Sequence, residues 1–140
     1  MQTPSLPPAF LTHPIAHRAL HDRAKGRPEN SRAAIRAALA AGYAIEIDLQ
    51  LSADGVAIVF HDEELGRLTE ATGWVNQRSA ADLGALRLRD AEDGIPTLAE
   101  VLALVGGAVP LLIEVKDQTL TPDGTIGPLE QATAAALQGY

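Results

Sequence analysis

The sequence predicts an α/β fold built on parallel strands, and three observations carry that reading. Short apolar runs rich in β-branched residues recur at residues 14–18, 44–50, 56–62 and 111–116, with the period-2 alternation of strands. Alanine- and leucine-rich stretches bearing helix start and stop signals separate most of these runs. Alternation of strand and helix in this manner builds parallel sheets. The 140 residues suffice for one domain with a real core and are too few for two ordinary ones.

The elements follow in order. After the first strand, residues 29–41 read as a helix with Pro28 before it and Gly42 after it, the expected asymmetry of start and stop. The third strand follows the second after about six residues, which include Asp54-Gly55. That link is far too short for a crossover helix. Asp-Gly between two strands is itself a hairpin signal, so from the residues alone the third strand runs in either direction. Residues 63–95 are irregular and rich in turns and charges. They read as an excursion, a lid or a surface insertion, with a short helix at 79–86. Thr97-Leu98-Ala99-Glu100 is a capping box opening a helix that stops at Gly106-Gly107. Pro128-Leu129-Glu130 opens a last helix running towards Gly139.

Composition narrows the function classes. Hydrophobic content of 46% and charged content of 21% are those of a folded globular chain. There is no cysteine, so disulfides and thiolate metal sites are excluded, and a metal would be held by Asp, Glu and His. The net charge of −7 does not favour nucleic acid. An anionic substrate would need local positive charge, from a few Arg and Lys or from a cation. The N-terminal stretch lacks the basic and apolar regions of a signal peptide. The longest charge-free apolar stretch, 101–113, is interrupted by two glycines and a proline and is too short to span a bilayer. A soluble, cytoplasmic protein is expected.

Period-2 alternation places Ile45, Ile47 and Leu49 on one strand face and Glu46 and Asp48 on the other. The fourth strand repeats this, with Leu112, Glu114 and Lys116 opposite Leu111, Ile113 and Val115. Three carboxylates gathered on an inward face would repel one another unless neutralised. Oxygen-only ligation points to a hard divalent ion, magnesium or calcium, with manganese also compatible. The alternative is an ion-pair cluster with Lys116 and Arg18.

His17 closes the first strand and is followed by Arg18; His61 closes the third and is followed by Asp62. Such a pair beside an acid cluster suits general acid–base work. One imidazole would deprotonate a nucleophile and the other would protonate the leaving oxygen of a phosphodiester. Asp62 would orient an imidazole or cap the following turn. With a cation bound, and with Arg18 and Lys116 alongside, the site would attract phosphate despite the acidic chain. His13 and His21 lack comparable company.

In order, His17-Arg18, Pro28-Glu29-Asn30, Glu46-Ile47-Asp48, Asp54-Gly55, His61-Asp62, Ile95-Pro96-Thr97-Leu98 and Glu114-Val115-Lys116 resemble the signature of the glycerophosphodiester phosphodiesterase family, over about residues 14–117. None of these motifs is specific alone; the ordered set is. The resemblance implies a TIM-type barrel with its site at the C-terminal strand ends. This chain would then be the N-terminal half: one partial domain over residues 1–140, four mainly parallel strands with helices, and an irregular insertion at about 63–95. Strands two and three would run parallel. The resemblance further implies Glu46, Asp48 and Glu114 as metal ligands, His17 and His61 as the acid–base pair, and Arg18 on phosphate with Lys116 close by. It implies hydrolysis of small glycerophosphodiesters to an alcohol and glycerol 3-phosphate, a step of lipid and glycerol metabolism, by attack of the glycerol hydroxyl and then of water on a cyclic phosphate.

The sequence departs from the family pattern at Ala19, where glycine is usual, and at Ser31, where threonine is common. A TIM barrel needs roughly 200–250 residues or more. The chain is therefore expected to be a truncated half whose open edges favour self-association and whose own turnover is weak. Two other readings accompany this one: a lipid phosphodiesterase of phospholipase type, and a non-catalytic half-barrel that binds metal or phosphate.

Overall fold

The computed structural model describes residues 3–118 and 127–140. In chain order its strands are β1 (Ile15–Ala16), β2 (Ala44–Leu51), β3 (Ala57–Val59) and β4 (Leu111–Val115). Its helices are α1 (Arg32–Ala41), α2 (Ala80–Ala85), α3 (Leu98–Val105) and α4 (Pro128–Leu137). Each helix begins and ends where local chemistry dictates. Ser31 caps α1 by accepting from the Ala34 N–H at 3.1 Å. The expected start at residue 29 moves to Arg32 because Asn30 is left-handed, with φ 56°. Thr97 and Glu100 form the reciprocal capping box of α3, both bonds at 3.2 Å.

β2 is the central strand. β1 pairs with its first residues in parallel, Ile15 opposite Ala44, and β4 runs parallel along it from Ile45 to Leu49. The Ala44 N–H donates to Pro14 and the Ile45 N–H to Pro110, so β1 and β4 occupy opposite edges. The mixed α/β sheet accords with the predicted class, with one correction.

The third strand is antiparallel to the second. Leu49, Gln50 and Leu51 pair with Val59, Ile58 and Ala57. The parallel arrangement expected from the resemblance is overturned, and the short link is the reason: it turns back at once. The Ser52 N–H donates to the Val56 carbonyl at 3.0 Å, and Ser52 Oγ accepts from the Val56 N–H at 2.9 Å. Gly55 takes the left-handed conformation of the turn, φ 79°. The Phe60 N–H then donates to the Asp48 carbonyl at 3.0 Å. β3 therefore lies on the same edge of β2 as β1, beyond it, and returns the chain towards Glu46.

Two apolar cores result. Ile45, Ile47 and Leu49 turn one face of β2 onto Ala34, Ile35 and Ala38 of α1, Leu98, Val101 and Leu102 of α3, and Leu129 of α4. A second cluster forms beyond the hairpin, where Ile58 and Phe60 pack with Leu65, Leu68, Val75, Leu83, Leu88 and Ile95. The irregular segment thus has its own buried centre. Among the described residues no helix is long and apolar enough to cross a membrane.

Candidate active site

Opposite the helix-packed face of β2, the polar face gathers the acids. Asp48 pairs in register with Glu114, and Glu46 with Leu112. Carboxylate oxygens of Glu46, Asp48 and Glu114 all lie within 4.8 Å of one another. Glu46 and Asp48 are buried; the Glu114 side chain is half exposed.

The turn after β1 frames one side of this cluster. Arg18 and Ala19 are both left-handed, with φ 54° and 64°. That conformation aims successive N–H groups at Glu46: the Arg18 N–H donates to Glu46 Oε2 at 2.8 Å and the Ala19 N–H to the Glu46 carbonyl at 3.0 Å. Asn30 follows through the Asn30 N–H bond to the Arg18 carbonyl, 2.9 Å. It donates from Nδ2 to Asp48 Oδ2 at 3.0 Å, and its Oδ1 accepts from the Asp48 N–H at 3.4 Å.

Two cations attend the acids. Lys116 Nζ lies 2.7 Å from Glu114 Oε1 and 3.3 Å from Asp48 Oδ1. The second contact is an ion pair that falls short of hydrogen-bond geometry, and Asp48 Oδ1 is buried while accepting no hydrogen bond. Arg18 Nη1 donates to Glu29 Oε1 at 3.2 Å, and its Nε sits 3.7 Å from Asp48 Oδ2. Burial pushes Asp48 up, but the Asn30 amide and the Lys116 ammonium outweigh it and hold the carboxyl below its ordinary value. For Lys116, burial acts downward, and its two carboxylate partners outweigh it and raise the ammonium.

His61 enters from the hairpin. Its carbonyl accepts from Gln50 Nε2 at 2.8 Å, and its Nδ1 lies 2.7 Å from Asp62 Oδ1. Arg67 grips Asp62 from Nε and Nη2 at 2.7 and 2.9 Å. Those bonds, against some desolvation and with help from His61, bring Asp62 down to about 2. Gln50, His61, Asp62, Glu63, Trp74 and Lys116 line a groove of about 530 Å³. His17 is exposed in the turn after β1 and makes no hydrogen bond among the described residues.

The arrangement brings Glu46, Asp48, Glu114, Arg18 and Lys116 into direct contact, with His61 at the adjoining groove. Asn30, Gln50 and Arg67 were not singled out as site residues from the sequence. Asn30 carried a signal, since Asn is enriched in left-handed positions and lies within a quoted motif. Arg67 carried none.

A profile of the glycerophosphoryl diester phosphodiesterase family matches residues 17–133, from His17 through the whole acid cluster. The chain belongs to this family. It is 34% identical over 134 residues to a glycerophosphodiester phosphodiesterase of Caldanaerobacter subterraneus subsp. tengcongensis, covering 90% of this chain and 52% of that protein. Among solved structures it is similar to an Oleispira antarctica phosphodiesterase in complex with the product sn-glycerol-3-phosphate. That match has 29% identity and a TM-score of 0.77, covering 94% of this chain and 53% of the other. A glycerophosphodiester phosphodiesterase from Agrobacterium tumefaciens is 32% identical with a TM-score of 0.66, covering 76% and 48%. The chain spans about half the length of each of these relatives.

Within the glycerophosphoryl diester phosphodiesterase family, the departure at Ala19 now has a physical meaning. The residue is buried, 2% exposed, and its φ of 64° lies in the region that favours glycine.

Proposed function

We propose that this chain carries the metal-binding and acid–base half of a glycerophosphodiester phosphodiesterase, with β1, β2 and β4 as successive strands of a TIM-type barrel and residues 57–97 as its insertion. The observation that carries the reading is the convergence of three carboxylates around a buried Asp48 oxygen that accepts no hydrogen bond. The Lys116 ammonium at 3.3 Å compensates that oxygen's burial by charge but gives it no hydrogen bond. Together with an all-oxygen donor set, the oxygen fits a hard divalent cation held by Glu46, Asp48 and Glu114. When bound, such an ion supplies charge neutralisation and polarisation of a phosphoryl oxygen.

The chain's own residues do the rest. Lys116 and Arg18 would hold phosphate oxygens, Arg18 by exchanging its present bond to Glu29 for the substrate. His61, with Nδ1 turned to Asp62, has Nε2 left for proton transfer. His17 would serve as the second proton-transfer group, one imidazole taking the proton of the attacking glycerol hydroxyl and the other giving one to the departing alcohol. A glycerophosphodiester substrate is supported by the glycerol 3-phosphate bound to the Oleispira relative.

The test is release of glycerol 3-phosphate from glycerophosphodiesters by the purified chain, with divalent cation or with chelator. Cation-dependent release is expected, with His17→Ala and His61→Ala each lowering turnover about 10²–10⁴-fold. Release that survives chelator, or both histidine variants, would sink the assignment. The outer edge of β4 pairs with no strand among the described residues, which supports self-association through that edge. Sedimentation showing a strict monomer at high concentration would dismiss it.

A further inference from the structure

Charged side chains run unbroken from the acid cluster to His61, and one of them, Arg67, has no part in the proposed chemistry. From the acid cluster, Asp48 meets Arg18, and Arg18 meets Glu29. Glu29 meets Arg67, Arg67 meets Asp62, and Asp62 meets His61. Arg67 is the hinge of this chain. Its guanidinium donates four bonds to two carboxylates: Nη1 and Nη2 to Glu29 at 3.0 and 2.7 Å, and Nε and Nη2 to Asp62 at 2.7 and 2.9 Å.

These bonds join the loop before α1 to the segment that follows β3. Glu29 belongs to the loop before α1, next to Asn30, whose amide holds Asp48. Asp62 follows β3 and touches the imidazole. Arg67 itself comes from the segment with the second apolar core, between Leu65 and Leu68. A planar fork suits two carboxylates at once; an ammonium offers no such geometry.

We propose that Arg67 is a positioning residue, which by fixing Asp62 sets the tautomer and direction of His61. The physical step is simple. An ionised carboxylate is an acceptor only, so an imidazole Nδ1 at 2.7 Å from Asp62 Oδ1 must carry the hydrogen. Nε2 then bears the lone pair and faces the proton-transfer work. Asp62 can hold that bond only while its own carboxylate is immobile, and the pair of bonds from Arg67 immobilises it. Glu29, 11% exposed and bonded also to Arg18, anchors the other side of the guanidinium. Burial pushes Glu29 up, yet Arg67 and then Arg18 outweigh it and keep it ionised.

The inference rests on His61 acting in proton transfer, and its first test makes no use of turnover. Long-range proton–nitrogen spectra of the ¹⁵N-labelled chain, recorded at alkaline pH, report the tautomer of each imidazole in its neutral form. His61→Gln assigns the signal. His61 is expected as the Nδ1–H form in the wild-type chain. In Arg67→Gln it should revert towards the Nε2–H form that free imidazole prefers, with Arg67→Lys intermediate. Arg67 is nearly half exposed, so these variants should fold, and the unchanged spectrum of the backbone amides checks that. A second readout separates positioning from binding: Arg67→Gln should lower kcat about 10–100-fold with KM near wild type. An Nε2–H His61 in the wild type, an unaltered tautomer in Arg67→Gln, or a variant in which only KM rises would each overturn the proposal.

Discussion

Replacing Ala19 by glycine tests whether the turn after β1 stores strain. In an ordinary buried position the change is harmful. It removes a methyl group, worth about 0.8 kcal/mol, and adds unfolded-state freedom, worth roughly 0.5–1 kcal/mol. Ala19, however, sits at φ 64°, where an L-residue bears roughly 1–2 kcal/mol that glycine is spared. The opposing effects nearly cancel, so Ala19→Gly should leave stability within about 1 kcal/mol of the parent. Ala38 supplies the control. It is equally buried, at 0% exposed, but stands inside α1 with nothing to relieve. Ala38→Gly should cost about 2 kcal/mol, from helix propensity and the lost methyl together. Equilibrium urea denaturation of the three proteins decides between them. With a slope of about 1–3 kcal/mol per molar, the Ala38→Gly midpoint should fall by about 1 M and the Ala19→Gly midpoint should barely move. Equal losses in the two variants would refute the strain at residue 19.

Two further outcomes follow from the carboxylates. Calcium or magnesium should raise the melting temperature of the wild-type chain, by the equivalent of about 2.7 kcal/mol at 100 times its dissociation constant. Glu46→Gln and Asp48→Asn should abolish the shift, and identical melting with cation and with chelator would dismiss the cation site. Asp62 is held down to about 2, chiefly by Arg67. Because its folded value lies below the unfolded one, its stabilising contribution is complete above about pH 4 and is lost as pH falls through about 2. Arg67→Gln should therefore show a shallower loss of stability across that acid window; superimposable acid titrations of variant and parent would count against the interaction.

Much of the sheet was legible because its signals are local. Alternation in Ile45-Glu46-Ile47-Asp48-Leu49 announces one apolar and one acidic face, and β2 has both. The capping box at Thr97 and Glu100 reads directly as the start of α3. The direction of β3 was misread because the expected barrel outweighed the Asp54-Gly55 turn signal, whereas a link of that length leaves no room for a crossover. The acid cluster was visible for the same reason as the strand faces. What escaped were residues that reach the site through space: Arg67 lies 38 positions from Glu29, and no periodicity connects them. Asn30 escaped as a partner of Asp48 because the predicted helix absorbed it, while its left-handed backbone in fact places it outside.

The division into two apolar cores has a consequence for motion. The carboxylates ride on the sheet and its helices, whereas Asp62 and Arg67 lie in the segment after β3, whose apolar side chains form the second cluster. Cooperative units of this kind open with different free energies, so the imidazole would leave the carboxylates through a sub-global opening that spares α1 and β2. Amide hydrogen exchange should then show Phe60, Leu65 and Leu83 exchanging together and sooner than Ile35, Ile45 and Ile47; one common rate for both groups would mean a single unfolding unit. In that picture the proposed site is a docked state of two bodies, and its population, as much as its geometry, would set how often it is assembled.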